Sequence, residues 1–288
     1  MKFLSSLWHI FISQMFLWFK SSSVTVIIFP KIGGKYMPYF MYKDKKIFFE
    51  QYGNGIPLLL LHGNSLSSRM FLPMIDELQK YTKVILIDFL GNGYSDRVSD
   101  ISDDLWYDEA QQAISLIDYL GYSQVNLLGT SGGALVALNI ALERPDLIGK
   151  VIADSFEGES PLDSFVMNIH QDRALSKKNP WLKTLYQQNH GNDWENVVDN
   201  DTLAIYTHYQ NHKTFFHKKL CELRLPVLLT GSKEDEFMSG NFFEKVYGNL
   251  SIENKKIHIF EHGGHPAMIS NKDTFIPLVI HFLKNTER

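Results

Sequence analysis

The chain has 288 residues, of which 44% are hydrophobic, and a formal net charge of −4 at pH 7. This length and composition allow one large core or two smaller ones and exclude a disordered chain. The small negative charge, without a basic stripe among aromatic residues, argues against nucleic acid as a partner. Cys221 is the only cysteine, which excludes an internal disulfide and a cysteine-pair metal site.

Residues 1–36 differ in composition from the rest of the chain. An uncharged apolar stretch at residues 3–19 follows Lys2, and a second apolar run covers residues 24–29. The first stretch resembles a signal peptide or a membrane anchor, but it carries several polar residues, has no A-x-A cleavage site and is short for a membrane span.

A second interpretation is that translation begins at Met37. Gly33-Gly34 can be encoded by a purine-rich ribosome-binding sequence, and Met37 follows after only two further residues. We therefore expect residues 1–36 to be a hydrophobic extension produced by a misassigned start, with a membrane anchor or signal segment as the alternative. On this basis the protein is expected to be cytoplasmic, and it is expected to contact a membrane only if residues 1–36 are translated.

From residue 37 onward, short apolar runs alternate with helical patterns. The predicted strands are residues 38–42, 46–52, Pro57–Leu61, 84–87, 125–129, 150–153, 226–230 and 256–260. The predicted helices are residues 69–81, Leu105–Leu120 ending at Gly121, one that follows Ser131, and residues 275–283. Continuous rather than alternating apolar runs indicate strands buried on both faces. The pattern predicts an α/β fold with a mostly parallel central sheet and helices on both faces.

The segment around Ser131 combines a buried strand, a tight turn and a helix of small residues. Gly129 and Gly133, two residues on either side of Ser131, remove side chains where strand and helix pass close to each other. This G-x-S-x-G arrangement is typical of a nucleophile elbow, which exposes the serine Oγ on a strained turn. The alternative is a glycine-rich loop that merely packs tightly.

Functional groups in such a sheet belong at the carboxyl ends of the strands. Ser131 is predicted there, together with polar segments at residues 62–64, 231–236 and 262–265. A serine hydroxyl needs a base to take its proton, and a neutral histidine base needs a carboxylate to orient it. The chain order Ser131, Asp235, His265 fits the nucleophile, acid and base expected in this order.

These residues resemble the α/β-hydrolase fold superfamily, in its capped, esterase-like branch. The resemblance covers residues 37–288. It rests on five motifs: His62-Gly63, Asp88-x-x-Gly91-x-Gly93-x-Ser95, Gly129-x-Ser131-x-Gly133, the loop from Gly231 to Asp235, and Gly263-Gly264-His265. It implies a serine hydrolase that needs no cofactor or metal, with an oxyanion hole formed by the backbone N–H groups of Asn64 and Gly132. Ser65 replaces Asn64 if the loop is one residue out of register.

Two assignments within the predicted triad have competitors. The family usually places its acid three residues after the loop glycine, where this chain has Glu234, but the apolar pair that follows favours Asp235. Asp154 is a third candidate for the acid. His262 competes with His265 as base, and Gly263-Gly264 immediately before His265 favours the latter.

Other polar residues are expected to have structural roles. His208 and His212 have the i, i+4 spacing of two metal ligands on a helix, and His217 follows, but no acidic ligand or cysteine accompanies them in a motif. We expect solvated or capping histidines there. Asp88, Ser95 and Asp96 are expected to order their loop.

At residues 156–225 the alternation of strands and helices stops, and the segment is rich in aromatic residues. By the resemblance, it is expected to be a small helical cap over the active site, with aromatic side chains lining an apolar pocket for a small or medium carboxylic ester or related acyl substrate. The same residues could serve carbon-carbon bond hydrolysis, lactonase or perhydrolase chemistry. A non-catalytic ligand-binding sensor is the alternative of another class, and the oligomeric state stays open.

Overall fold

The computed structural model describes residues 31–32, 35–36, 38–99, 101–238 and 241–285. Two short strands, Lys31–Ile32 and Lys35–Tyr36, pair antiparallel; the rest of the predicted N-terminal extension, residues 1–36, lies outside the described residues. Among the helices that the structure describes, none combines the length and apolar character that crossing a bilayer requires.

Eight strands form the central sheet. In chain order they are β1 (Tyr39–Tyr42), β2 (Lys45–Tyr52), β3 (Pro57–Leu61), β4 (Lys83–Ile87), β5 (Val125–Thr130), β6 (Ile148–Asp154), β7 (Val227–Ser232) and β8 (Lys255–Phe260). Their order across the sheet is β8-β7-β6-β5-β3-β4-β2-β1. Strands β3 to β8 pair in parallel, whereas β1 and β2 form an antiparallel hairpin at one edge. The predicted mostly parallel α/β sheet is confirmed.

The continuous apolar runs are explained by two cores, one on each face of the sheet. In β3, Leu59 and Leu61 belong to one buried cluster, and Leu58 and Leu60 belong to the other. Successive side chains of a strand point to opposite faces, so an uninterrupted leucine run supplies both cores at once.

Nine helices in the described residues surround this sheet. They are α1 (Leu72–Leu78), α2 (Leu105–Leu120), α3 (Gly132–Glu143), α4 (Asp163–Lys178), α5 (Pro180–His190), α6 (Trp194–Asn211), α7 (Phe242–Asn249), α8 (Ala267–Ser270) and α9 (Lys272–Lys284). Helix α2 ends at Gly121 in the left-handed conformation, with φ 71°, as predicted.

Some helix boundaries differ from the prediction. The helix predicted at residues 69–81 is a 3₁₀ turn, Ser68–Phe71, followed by α1, which begins near Pro73. A proline at the first positions of a helix loses no intrahelical hydrogen bond, which makes this a favourable place to begin. Helix α9 begins three residues before the predicted 275, and α7 was not predicted.

Helices α4, α5 and α6 occupy the predicted cap segment, between β6 and β7. Tyr186, Trp194 and Val198 form a small buried cluster of their own, against which Leu66 and Leu182 pack. Because Leu66 lies on the loop after β3, this cluster joins the inserted helices to the carboxyl edge of the sheet. The division into hydrolase domain and cap remains a prediction.

We expect Leu59→Ala to lower the free energy of unfolding by about 2–5 kcal/mol, because it removes a fully buried side chain from the middle of the sheet. Met41→Ala, on the edge strand with 58% of the residue exposed, is the control and should change stability by less than about 0.5 kcal/mol. Urea unfolding followed by circular dichroism measures both. Equal effects of the two substitutions would contradict the two-core arrangement.

Candidate active site

Ser131 occupies the turn between β5 and α3. Its backbone has φ 53° and ψ −125°, and its N–H donates to the carbonyl of Asp154 at 2.8 Å. A Cβ at Gly129 would lie 1.9 Å from the Gly133 carbonyl oxygen, and one at Gly133 would lie 2.0 Å from the Leu61 carbonyl oxygen. The turn therefore has space only for glycine at these two positions.

Ser131, His265 and Asp235 lie in one chain of hydrogen bonds. The Ser131 Oγ is 3.0 Å from His265 Nε2, and His265 Nδ1 is 2.8 Å from Asp235 Oδ2. This geometry fits a neutral imidazole that donates from Nδ1 and accepts the serine proton at Nε2. The loops after β5, β7 and β8 thus bring together three residues that are far apart in the sequence.

The two candidate acids have different partners. Asp235 is fully buried, and its Oδ1 accepts hydrogen bonds from the N–H groups of Phe237 and Met238 at 2.9 and 3.1 Å. Glu234 is directed away from His265; its carboxylate accepts from the N–H of Gly263 and lies 3.1 Å from His262 Nδ1. The neighbouring loops therefore hold two separate carboxylate–histidine pairs.

Asp154, the third candidate acid, is also directed elsewhere. Its carboxylate accepts from the hydroxyls of Thr130 and Thr230 and from the N–H of Met268. Burial raises the pKa of Asp154 to about 6, although these hydrogen bonds oppose the shift. Through these hydrogen bonds Asp154, at the end of β6, connects the neighbouring strands β5 and β7 to helix α8.

The pKa of His265 is raised above its ordinary value. Burial by itself would lower it, but the charge of Asp235 and the hydrogen bond to that carboxylate raise it more, with smaller contributions from Glu236 and Asp154. A higher pKa means a stronger base, so this environment favours proton transfer from Ser131 to His265.

The two predicted oxyanion donors lie beside Ser131. Gly132 is the first residue of α3, where backbone N–H groups have no intrahelical acceptor. The loop after β3 lies against the serine, since a Cβ at Gly63 would be 3.2 Å from the Ser131 Cβ. The backbone N–H of Asn64 donates to no acceptor among the described residues, and Ser65 follows with φ 60°.

Side chains from the inserted helices hold this loop in place. Asp201 of α6 accepts from Asn64 Nδ2 at 3.1 Å and from Ser65 Oγ at 2.5 Å. His190 of α5 accepts from the Gly93 N–H with Nδ1 and donates to the Ser65 carbonyl with Nε2. Burial lowers the pKa of His190 to about 4, so the ring is neutral. Sequence reasoning missed both residues, because neither lies in a motif or near the loop in the chain.

The Asp88 loop is ordered by hydrogen bonds to backbone groups. The Asp88 carboxylate accepts from the N–H groups of Ser68 and Tyr94, both at 2.8 Å. Ser95 donates its hydroxyl to the Asp88 carbonyl, and Asp96 accepts from the Lys46 N–H at 2.8 Å.

The prediction of a solvated or capping histidine is wrong for His208. This residue is fully buried, and its ring packs against Trp106 and Phe215. Folding brings α2 and the end of α6 together, and this contact cannot be read from the spacing of the histidines.

A cavity of about 1350 Å³ contains Ser131 and His265. Helices α4 and α5 contribute apolar side chains to its wall, among them Phe165, Ile169 and Leu185, and the loop after β7 contributes Phe237. The Phe237 ring lies edge-on to His265, with 5.1 Å between the ring centres. Arg173, Glu157 and Glu236 add charged groups to a mainly apolar wall.

Sequence comparison finds proteins similar to this chain among known hydrolases. The chain is 35% identical over 104 residues to (E)-2-((N-methylformamido)methylene)succinate hydrolase of Acinetobacter baylyi, a match that covers 36% of this chain and 38% of that protein. It is 26% identical over 270 residues to 2-hydroxy-6-oxo-6-phenylhexa-2,4-dienoate hydrolase of Comamonas testosteroni, with 84% and 92% of the two chains covered.

Among solved structures, an esterase from Exiguobacterium antarcticum has the same fold, with a TM-score of 0.68, 20% identity, and 86% of this chain and 99% of that chain covered. Residues 56–215 match a family model described as alpha/beta hydrolase fold. Because this match spans more than half of the 288 residues, the protein belongs to the α/β-hydrolase fold family.

Proposed function

We propose that the protein is a serine hydrolase that cleaves a small or medium carboxylic ester, or a related acyl substrate, through an acyl-enzyme. The observation that supports this most directly is the chain of hydrogen bonds from Ser131 through His265 to the buried Asp235, with distances of 3.0 and 2.8 Å, at the wall of a cavity. This arrangement activates a serine hydroxyl for attack on a carbonyl carbon.

In the first step, the Ser131 Oγ attacks the substrate carbonyl while His265 Nε2 takes its proton. Asp235 accepts the hydrogen bond from Nδ1 and stabilises the imidazolium that forms. The negative charge that develops on the carbonyl oxygen is held by the N–H groups of Gly132, at the positive end of helix α3, and Asn64. One such donor contributes about 3 kcal/mol to lowering the barrier.

In the second step, His265 returns its proton to the leaving alcohol, and the acyl group remains on Ser131. A water molecule then loses a proton to His265 and attacks the acyl carbon through a second tetrahedral intermediate. As this intermediate collapses, the bond from the acyl carbon to the Ser131 Oγ breaks, His265 returns its proton to that oxygen, and the carboxylic acid leaves. The chain's own residues thus perform every proton transfer in this scheme.

The cavity supports the proposed class of substrate. Its volume of about 1350 Å³ exceeds what the smallest acyl groups need, and its wall is mainly apolar. We propose that helices α4 to α6 act as a cap that encloses the acyl or alcohol part of the substrate, with Arg173 and the neighbouring carboxylates recognising a polar group on it.

A carbon-carbon bond hydrolase is the second candidate. It is favoured by the dienoate hydrolase from Comamonas testosteroni, because the sequence match covers 92% of that protein. The same serine, histidine and oxyanion donors can serve this chemistry, with a carbon rather than an oxygen leaving group.

We expect Ser131→Ala to abolish labelling by a fluorophosphonate probe and to lower ester turnover by on the order of 10⁴-fold or more, because the nucleophile is lost. Ser115→Ala is the matched control, since Ser115 lies on α2 outside the cavity and its hydroxyl donates to the Gln111 carbonyl. It should label like the wild type. A folded wild-type protein that does not label would contradict the proposal and favour a ligand-binding sensor.

Asp235→Asn should lower kcat by on the order of 10⁴-fold, because the amide leaves His265 in the wrong tautomer. Glu234→Gln, which alters the exposed pair with His262, should leave kcat/KM almost unchanged. A large loss in Glu234→Gln with activity retained in Asp235→Asn would reverse the assignment of the acid.

The pH profile of the wild type should show the raised pKa of His265. The base works only when neutral, so kcat/KM should fall as the pH decreases through a midpoint above the ordinary value of about 6.5. A midpoint below that value would show that the charge of Asp235 does not control the base.

The substrate class is tested by comparing turnover of a short-chain p-nitrophenyl ester with that of 2-hydroxy-6-oxo-6-phenylhexa-2,4-dienoate. We expect the higher kcat/KM on the ester, because the wall of the cavity is mainly apolar. The reverse preference, lost in Ser131→Ala, would establish the carbon-carbon bond hydrolase instead.

A further inference from the structure

A cluster of metal-binding side chains lies where helix α2 begins and helix α6 ends. Asp104 is the residue before α2, His208 is in the last turn of α6, and His212 follows its end. One ligand atom from each of these three residues lies within 4.8 Å of the other two. Residues far apart in the chain therefore meet with the donor types that zinc prefers.

His208 is buried without the hydrogen bonds that a buried imidazole normally makes. The residue is 0% exposed, and neither ring nitrogen has a hydrogen-bond partner of normal geometry among the described residues. The nearest carboxylate oxygen, Oδ1 of Asp104, is 3.7 Å from Nδ1. Buried polar groups without partners are rare, and a bound ion is one of the explanations for such a group.

His212 and Asp104, the other two residues of the cluster, also have atoms that could bind a cation. The Nε2 of His212 is buried without a hydrogen bond, and the ring stacks on His208 with 4.8 Å between ring centres. The second carboxylate oxygen of Asp104 lies 2.5 Å from Nε2 of His217, whose ring stacks on Tyr107. His217 thus orients the carboxylate and leaves Oδ1 directed toward His208, as outer partners of metal ligands do.

We propose that Asp104, His208 and His212 bind a divalent transition metal ion, Zn²⁺ in particular, with solvent at the fourth position. Two imidazole nitrogens and one carboxylate oxygen form a donor set that suits Zn²⁺. Tetrahedral bonds of about 2.0–2.1 Å place ligand atoms about 3.4 Å apart, so small side-chain rotations close this cluster around the ion. His212 is partly exposed, which leaves a route to solvent.

The position of the site indicates a structural role. Asp104 directly precedes α2, whereas His208 and His212 lie at the end of α6, the last inserted helix, so a bound ion connects these two elements. Trp106 packs its ring on His208, with 4.7 Å between ring centres, and donates from Nε1 to Asn64 Oδ1 at 3.2 Å. The metal site therefore supports the loop that carries the proposed oxyanion donor Asn64, although it contacts no reacting atom. Binding of the ion does not depend on the proposed reaction.

Isothermal titration calorimetry with ZnCl₂ tests the proposal on the full chain, after treatment with a chelator and dialysis. We expect one Zn²⁺ per chain for the wild type and a higher Tm in its presence. Asp104→Asn and His212→Asn alter the cluster from its two sides, and each should weaken Zn²⁺ binding by at least about tenfold. His170→Asn, a histidine of α4 outside the cluster, is the matched control and should bind like the wild type.

Circular dichroism of each variant without metal establishes whether it is folded. If either Asp104→Asn or His212→Asn does not fold, the other variant alone decides the test. Absence of saturable Zn²⁺ binding by the folded wild type would overturn the proposal. Binding that persists in both cluster variants and is lost in His262→Asn would also overturn it, because the ion would then lie at the Glu234–His262 pair.

Discussion

The close approach of helix α3 to strands β3 and β5 is the constraint on which the candidate site depends. No side chain fits at Gly129 or Gly133, and this contact holds Ser131 at φ 53°. A non-glycine residue in this region costs on the order of 1–3 kcal/mol, which the burial of nearly all of α3 can offset. The same turn projects the Ser131 Oγ from the sheet and places the Gly132 N–H at the start of the helix.

Two carboxylate–histidine pairs lie side by side, and burial distinguishes them. The Asp235–His265 pair is shielded from solvent, and two backbone N–H groups hold the carboxylate. The Glu234–His262 pair is open to solvent, where ion pairs contribute little. Only the first pair can therefore maintain a fixed orientation and a strong field at the serine, and this is why we assign it to the proposed reaction.

The helices inserted between β6 and β7 contribute more than a wall to the cavity. Asp201 and His190 bind the loop of Asn64 and Ser65 through buried hydrogen bonds, and Trp106 connects the same loop to His208. Docking of α5 and α6 therefore helps to fix where the proposed oxyanion donor lies. The proposed metal ion would strengthen this docking at the far end of α6.

The sequence by itself determined the α/β sheet, the turn at Ser131 and the loop that carries each member of the proposed triad. These features depend on local patterns, namely continuous apolar runs, glycines at a tight turn, and polar residues directly after strands. The sequence favoured Asp235 over Glu234 through the apolar pair that follows, but only folding decides which of these two adjacent carboxylates is buried beside His265. It could not find Asp201, His190 or the contact of Asp104 with His208. Those contacts join residues 97 to 137 positions apart or bring separate helices together, and only the packing of α5 and α6 against the sheet decides them.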